Sequence, residues 1–177
     1  SGPCFNSLLY IDARGQIVGK HRSLVLCGAE RLVWAEGDGS TLQVHALPFG
    51  TISGLIGAEH YLPLARYALY AWGIQIYIAT GWNYGEPWLS TLRHIAKEGG
   101  VFVLGCGMAF RISDIPDSYS FKQLYPASME TWLHPGDSVV VNPNGEFIAG
   151  PMREREALLY ADIDPRQCSE RKWMLDV

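Results

Sequence analysis

Between residues 52 and 105 one unit occurs twice: a short apolar run, a turn, an amphipathic stretch opened by proline, and a closing glycine. The first copy is Ile52-Ser53-Gly54-Leu55-Ile56, the turn Gly57-Ala58-Glu59-His60, and residues 63–72, which begin with Pro63 and stop at Gly73. The second is the run 74–78, then a stretch from Pro87 in which Trp88, Leu92, Ile95 and Ala96 share one face, ended by Gly99. A third apolar run, 101–105, follows. Proline is preorganised for a first helical turn and glycine for the position after a helix end, so each unit reads as strand then helix. Strand–helix alternation of this kind restricts the fold to an α/β layered class.

Hairpins flank this centre. Residues 7–11 and 16–20 read as strands joined by Asp12-Ala13-Arg14-Gly15, and residues 139–141 and 146–149 as strands joined by Asn142-Pro143-Asn144-Gly145. Asp or Asn bonds its own backbone two residues on, and glycine accepts positive φ. A polar segment spans 23–41, and 43–47 reads as a strand. The segment 111–135, with Pro116, Pro126 and Pro135, reads as a long irregular loop carrying Tyr119, Phe121, Tyr125 and Trp132. A last strand is expected at 158–163, followed by a polar tail with Trp173 and Val177.

The chain has 177 residues, 48% of them hydrophobic, enough for one well-buried domain. A net charge of −4 with no basic run argues against a nucleic-acid partner. No apolar stretch is long enough to span a bilayer, and the expectation is a cytoplasmic protein without membrane contact. Cys4, Cys27, Cys106 and Cys168 form no C-x-x-C pair, and the five histidines are scattered, so no metal or other cofactor is expected.

Gly57 stands where a strand-to-helix elbow exposes a nucleophile, and it supplies no side chain. The surrounding segments carry a resemblance. Gly19-Lys20-His21-Arg22, Glu30-Arg31-Leu32-Val33-Trp34, Gly37-Asp38-Gly39-Ser40-Thr41 and Glu59-His60-Tyr61-Leu62-Pro63-Leu64 resemble the nitrilase branch of the carbon–nitrogen hydrolase superfamily. So do Glu86-Pro87-Trp88, Arg93-His94-Ile95-Ala96-Lys97-Glu98-Gly99, Pro135-Gly136-Asp137-Ser138 and Arg153-Glu154-Arg155-Glu156, in order along nearly the whole chain.

The resemblance implies an α-β-β-α sandwich, of which residues 1–177 form one partial domain lacking the N-terminal strands and helices. It implies hydrolysis of a nitrile to a carboxylic acid and ammonia through a Cys thioimidate, with a Glu base, a charge-stabilising Lys and a second Glu. Carried over by position, the Cys falls on Gly57, followed by Ala58 and Glu59, and the Lys falls on Ser23 after His21-Arg22. The second Glu falls on Glu30, and the base belongs to a segment outside these 177 residues.

The expectation is therefore a nitrilase-like protein that is inactive as it stands, the alternative being a non-catalytic assembly subunit of the same fold. Its partners would be further copies of itself or a chain supplying the N-terminal part, with a small nitrile as substrate if it is active. Ala58, Glu59, Trp82 and Tyr84 are candidate substrate-contacting residues. Each has a plainer reading. Glu30 is equally a loop carboxylate pairing with Arg31 or Lys20, Glu59 a helix-start residue, Trp82 and Tyr84 packing residues, and Cys106 an inert strand-end thiol rather than a displaced nucleophile.

Overall fold

The computed structural model describes residues 2–125 and 132–175. Strands β1 (Ser7–Ile11) and β2 (Ile17–Arg22) form an antiparallel hairpin whose turn is built as its residues dictate. Asp12 Oδ1 accepts the Arg14 and Gln16 N–H groups, and Gly15 has φ +78°. Strands β3 (His45–Leu47) and β4 (Gly50–Ile56) form a second antiparallel pair. Helix α1 (Pro63–Ala71), strand β5 (Ile76–Thr80), helix α2 (Glu86–Gly99) and strand β6 (Phe102–Cys106) follow, with β4, β5 and β6 parallel. Both proline-opened stretches are helices, and Gly100 takes the left-handed conformation that ends α2.

Strands β7 (Ala109–Arg111), β8 (Trp132–Val141) and β9 (Phe147–Arg153) complete a sheet of seven strands in the order β3-β4-β5-β6-β8-β7, with β9 also pairing β8. The turn between β8 and β9 repeats the device of the first hairpin. Asn142 Oδ1 accepts the Asn144 and Glu146 N–H groups, and Gly145 has φ +83°.

Alternation along the strands sorts the layers. Leu55, Tyr77, Ala79, Val103, Val139 and Val141 pack in one cluster with Leu69 and Tyr70 of α1 and Leu92, Ile95 and Ala96 of α2. Ile56, Ile76 and Phe102, on the alternate positions, are buried outside that cluster. On this second face the β1–β2 hairpin is seated. The Tyr10 ring lies 4.1 Å from that of His45, and a Cβ added at Gly19 would run into the same imidazole. The layers are thus helices, large sheet, small sheet.

Two expectations are corrected. Residues 158–163 form no strand, and Leu158 and Tyr160 are exposed. Their apolar run pairs with no strand among the described residues, and pairing rather than pattern makes a strand. The tail is in turn a helix, α3 (Arg166–Leu175), opened by Asp164 Oδ1 accepting the Arg166 N–H. The 111–135 segment is less irregular than expected. It holds 3-10 turns at Ile112–Asp114 and Ser120–Leu124, and Trp132 already belongs to β8. Pro126 and Val177 lie outside the described residues.

Candidate functional site: a cleft at the carboxyl ends of the parallel strands

Where β4, β5 and β6 end, their following loops border a cleft of ≈ 710 Å³. Open parallel sheets place ligand sites at this edge because the loops leaving the strands converge there. The register sets the width: Ile56 pairs Thr80, and Thr80 pairs Cys106. The cleft is lined by Ile56 at the end of β4 with Gly57 and Ala58 after it, by Thr80 at the end of β5 with Gly81, Trp82 and Asn83 after it, and by Cys106 at the end of β6 with Met108 beyond it. Asn6, Cys27 and Glu30 close it from the hairpin side, and Tyr61 closes it from the end of the turn that follows β4.

Gly57 begins a 3-10 turn, Gly57–Tyr61, with φ +56°. This left-handed backbone is what a side chain with a Cβ resists and glycine accepts. A Cβ added there would meet nothing within 4 Å. Gly81 comes close from the next loop, since a Cβ on it would lie 2.9 Å from the Gly57 Cα. The elbow therefore has the backbone of a nucleophile position and an open space beside it.

Behind the elbow the packing is dense and polar. Glu59 is fully buried, and its carboxylate accepts the Ile56 N–H at 2.7 Å, the Leu24 N–H at 2.6 Å and the His21 Nε2–H at 3.0 Å. One side chain thus ties β2, the loop after it and the end of β4. His60 is also buried. Its Nε2–H donates to the Thr80 carbonyl at 2.9 Å, its Nδ1 accepts the Tyr77 hydroxyl at 2.8 Å, and Trp88 packs 5.2 Å away. Burial pushes the His60 pKa down to about 4, so the ring is neutral near pH 7. Arg66 then donates to the His60 carbonyl at 2.7 Å and to Glu98 at 2.8 Å.

The loop of Trp82 and Tyr84 is fixed from the other side. Trp82 and Tyr84 stand edge-on to the His134 ring at 5.0 and 4.8 Å, and Phe110 stacks on that ring at 6.4 Å. The buried Asp137 accepts the Gly85 N–H at 2.6 Å and pairs with Arg153. Sequence reasoning did not single out His134 or Asp137. Pro135-Gly136-Asp137-Ser138 was visible as a motif, but the 52 residues separating Gly85 from Asp137 hide what it holds.

Of the residues expected at the site, Glu30, Gly57, Ala58 and Trp82 meet at the cleft. Glu30 Oε2 also accepts the Cys27 N–H at 2.9 Å, closing its own turn, while Arg31 donates to the Leu26 carbonyl. Ser23, Glu59 and Tyr84 do not line it. The Ser23 hydroxyl is buried and donates to the Val25 carbonyl at 3.0 Å. Two thiols, Cys27 and Cys106, border the same space. Among the described residues lining the cleft none is Lys, Arg or His.

Comparison with known proteins agrees with this architecture. A bifunctional nitrilase/nitrile hydratase of rice, NIT4, is 42% identical over 174 residues, covering 97% of this chain and 48% of its own length. Nitrilase blr3397 of Bradyrhizobium diazoefficiens is 38% identical over 175 residues, covering 99% of this chain and 54% of its own. The chain thus spans about half the length of the curated relatives it matches. Among solved structures, a carbon–nitrogen hydrolase of Helicobacter pylori superposes with a TM-score of 0.79 at 20% identity, over 97% of this chain and 60% of that one. Yeast Nit3, a member of branch 10 of the nitrilase superfamily, gives 0.75 at 20% identity, over 97% and 57%. The family model for carbon-nitrogen hydrolases matches residues 1–172, and the chain belongs to that family.

Proposed function

We propose that this chain is a nitrilase frame that does not hydrolyse nitriles as it stands. One observation supports the reading above the others: the elbow after β4 has a left-handed backbone with open space beside it, and Gly57 puts no atom into that space. Addition to a nitrile carbon needs a thiolate or equivalent at the elbow and a positive group where charge gathers on nitrogen. Ser23, at the position of the family's lysine, is turned to a backbone carbonyl, and no described cation lines the cleft. Glu30 remains as a carboxylate with no nucleophile beside it at position 57. The same reading takes the protein as cytoplasmic; that it has no nucleic-acid partner is supported by its net charge of −4 and the lack of basic runs.

The test is intact-mass spectrometry after incubation with an aliphatic and an aryl nitrile. Neither the unaltered chain nor Gly57→Cys is expected to gain the mass of the nitrile, since Ser23 remains in both. A thioimidate adduct on the unaltered chain that is discharged with release of ammonia overturns the proposal, and peptide mapping to Cys27 or Cys106 would then name the thiol that replaces position 57.

A second reading, an assembly subunit of nitrilase fold, is favoured by α1. Its inner face buries Ala65, Leu69 and Tyr70, while Leu64 is 83% exposed with Tyr67 and Trp72 beside it on the outside. An apolar outer face on a helix suits contact with another copy.

A further inference from the structure

We infer that the aromatic pocket beside the elbow cleft is a separate site for small organic cations with an aryl or alkyl body. The pocket has a volume of ≈ 570 Å³, within the range of small-molecule sites. Trp82, Phe110, Tyr119 and Phe121 form its walls, and Asp114 and Glu156 stand among its lining residues. Trp82, Tyr119 and Phe121 are respectively 54%, 54% and 44% exposed. Single exposed aromatics are ordinary on a surface, but several gathered around one hollow mark a place where a ligand removes them from water.

The walls are set without a ligand. Trp82 is held edge-on by Phe110 at 5.2 Å and by His134 at 5.0 Å, and Tyr119 and Phe121 lean on each other at 5.6 Å. Such packing limits the freedom these rings would otherwise lose on binding.

Charge decides the kind of ligand. Both ionisable residues of the lining with a charge at neutral pH are carboxylates, and no Lys, Arg or His lines the pocket among the described residues. Arg111 and Arg155 share a neighbouring hollow with Asp114 and Glu156, outside this lining. Lys122 donates to the Ile115 carbonyl and the Asp117 carboxylate, both at 2.7 Å, and the Arg111 guanidinium lies 4.5 Å over the Trp132 ring. Aromatic faces attract a cation through their quadrupoles, and neighbouring carboxylates add to that attraction and disfavour anions. Asp114 and Glu156 are exposed, so their share weakens as salt rises. The pocket meets the elbow cleft at Trp82 and Met108 but needs nothing from Gly57.

Calorimetric titration of the chain with benzyltrimethylammonium, benzyl alcohol and benzoate tests this. The cation is expected to bind at least about tenfold more tightly than benzoate, with the alcohol between them. Added salt and Glu156→Gln should each weaken the cation about two- to threefold and leave the alcohol unchanged. Trp82→Leu should weaken the cation about tenfold or more, while Gly57→Cys should leave it alone. Equal binding of the three probes, no binding of the cation, or a cation affinity that ignores salt and Glu156→Gln would overturn the assignment. Because Glu156 is exposed, that variant keeps the result decisive even if Trp82→Leu fails to fold.

Discussion

On the buried side of the elbow Glu59 accepts hydrogen bonds from His21, Leu24 and Ile56, and His60 joins Tyr77 to the end of β5. On the cleft side, two residues away, Gly57 and Ala58 present nothing larger than a methyl group. The contrast separates two jobs done by one turn. Its shape is fixed by buried carboxylate and imidazole bonds, and its chemistry would depend on the side chain at the tip. A chain can give up the second without loosening the first, because no hydrogen bond on the buried side runs through the side chain at position 57.

The largest loss of stability is expected from Glu59→Ala. It leaves two backbone N–H groups and a buried imidazole without their acceptor, and should cost about 3–5 kcal/mol in denaturant unfolding. Gly57→Ala, on the open side, should cost only about 1–2 kcal/mol, from its left-handed backbone. Equal costs for the two variants would mean that the two sides are not distinct.

Acid should act on the same side. His60 is harder to protonate in the folded chain than in the unfolded one, with a folded value of about 4 against an ordinary 6.5. Its contribution is therefore present above pH ~6.5 and lost as pH falls toward ~4, by on the order of 3 kcal/mol. Urea unfolding across that range measures it, and a stability flat from pH 6.5 to 4.5 would contradict the buried neutral imidazole.

The smallest effect on stability belongs to the outer face of α1. Leu64→Asp should shift unfolding by no more than about 0.5 kcal/mol, because the side chain is exposed. If α1 joins copies of the chain, the same change should lower the mass seen by sedimentation. Unchanged mass from an assembled sample would remove α1 from the interface.

The strand–helix centre was legible because its signals are local: proline at the two helix starts, glycine after them, and apolar runs between. The two hairpins were legible for the same reason, with Asp12 and Asn142 each bonding the backbone two and four residues on. Helix α3 has a local start signal in Asp164-Pro165, but residues 166–172 are mostly polar, so no apolar periodicity marks it in the sequence. Long-range features were hidden. Glu59 and His21 are 38 residues apart, and Cys106 reaches the cleft only through its register with Thr80 and, beyond it, Ile56. Sequence placed Gly57 at a tip. The structure added that the tip is left-handed, open and braced from behind.

Whether the elbow has lost its chemistry is read from ammonia release by the purified chain with a panel of nitriles and amides. No release above a protein-free control is expected at any pH where the chain is folded. Turnover that scales with protein concentration, and survives repurification, would contradict it.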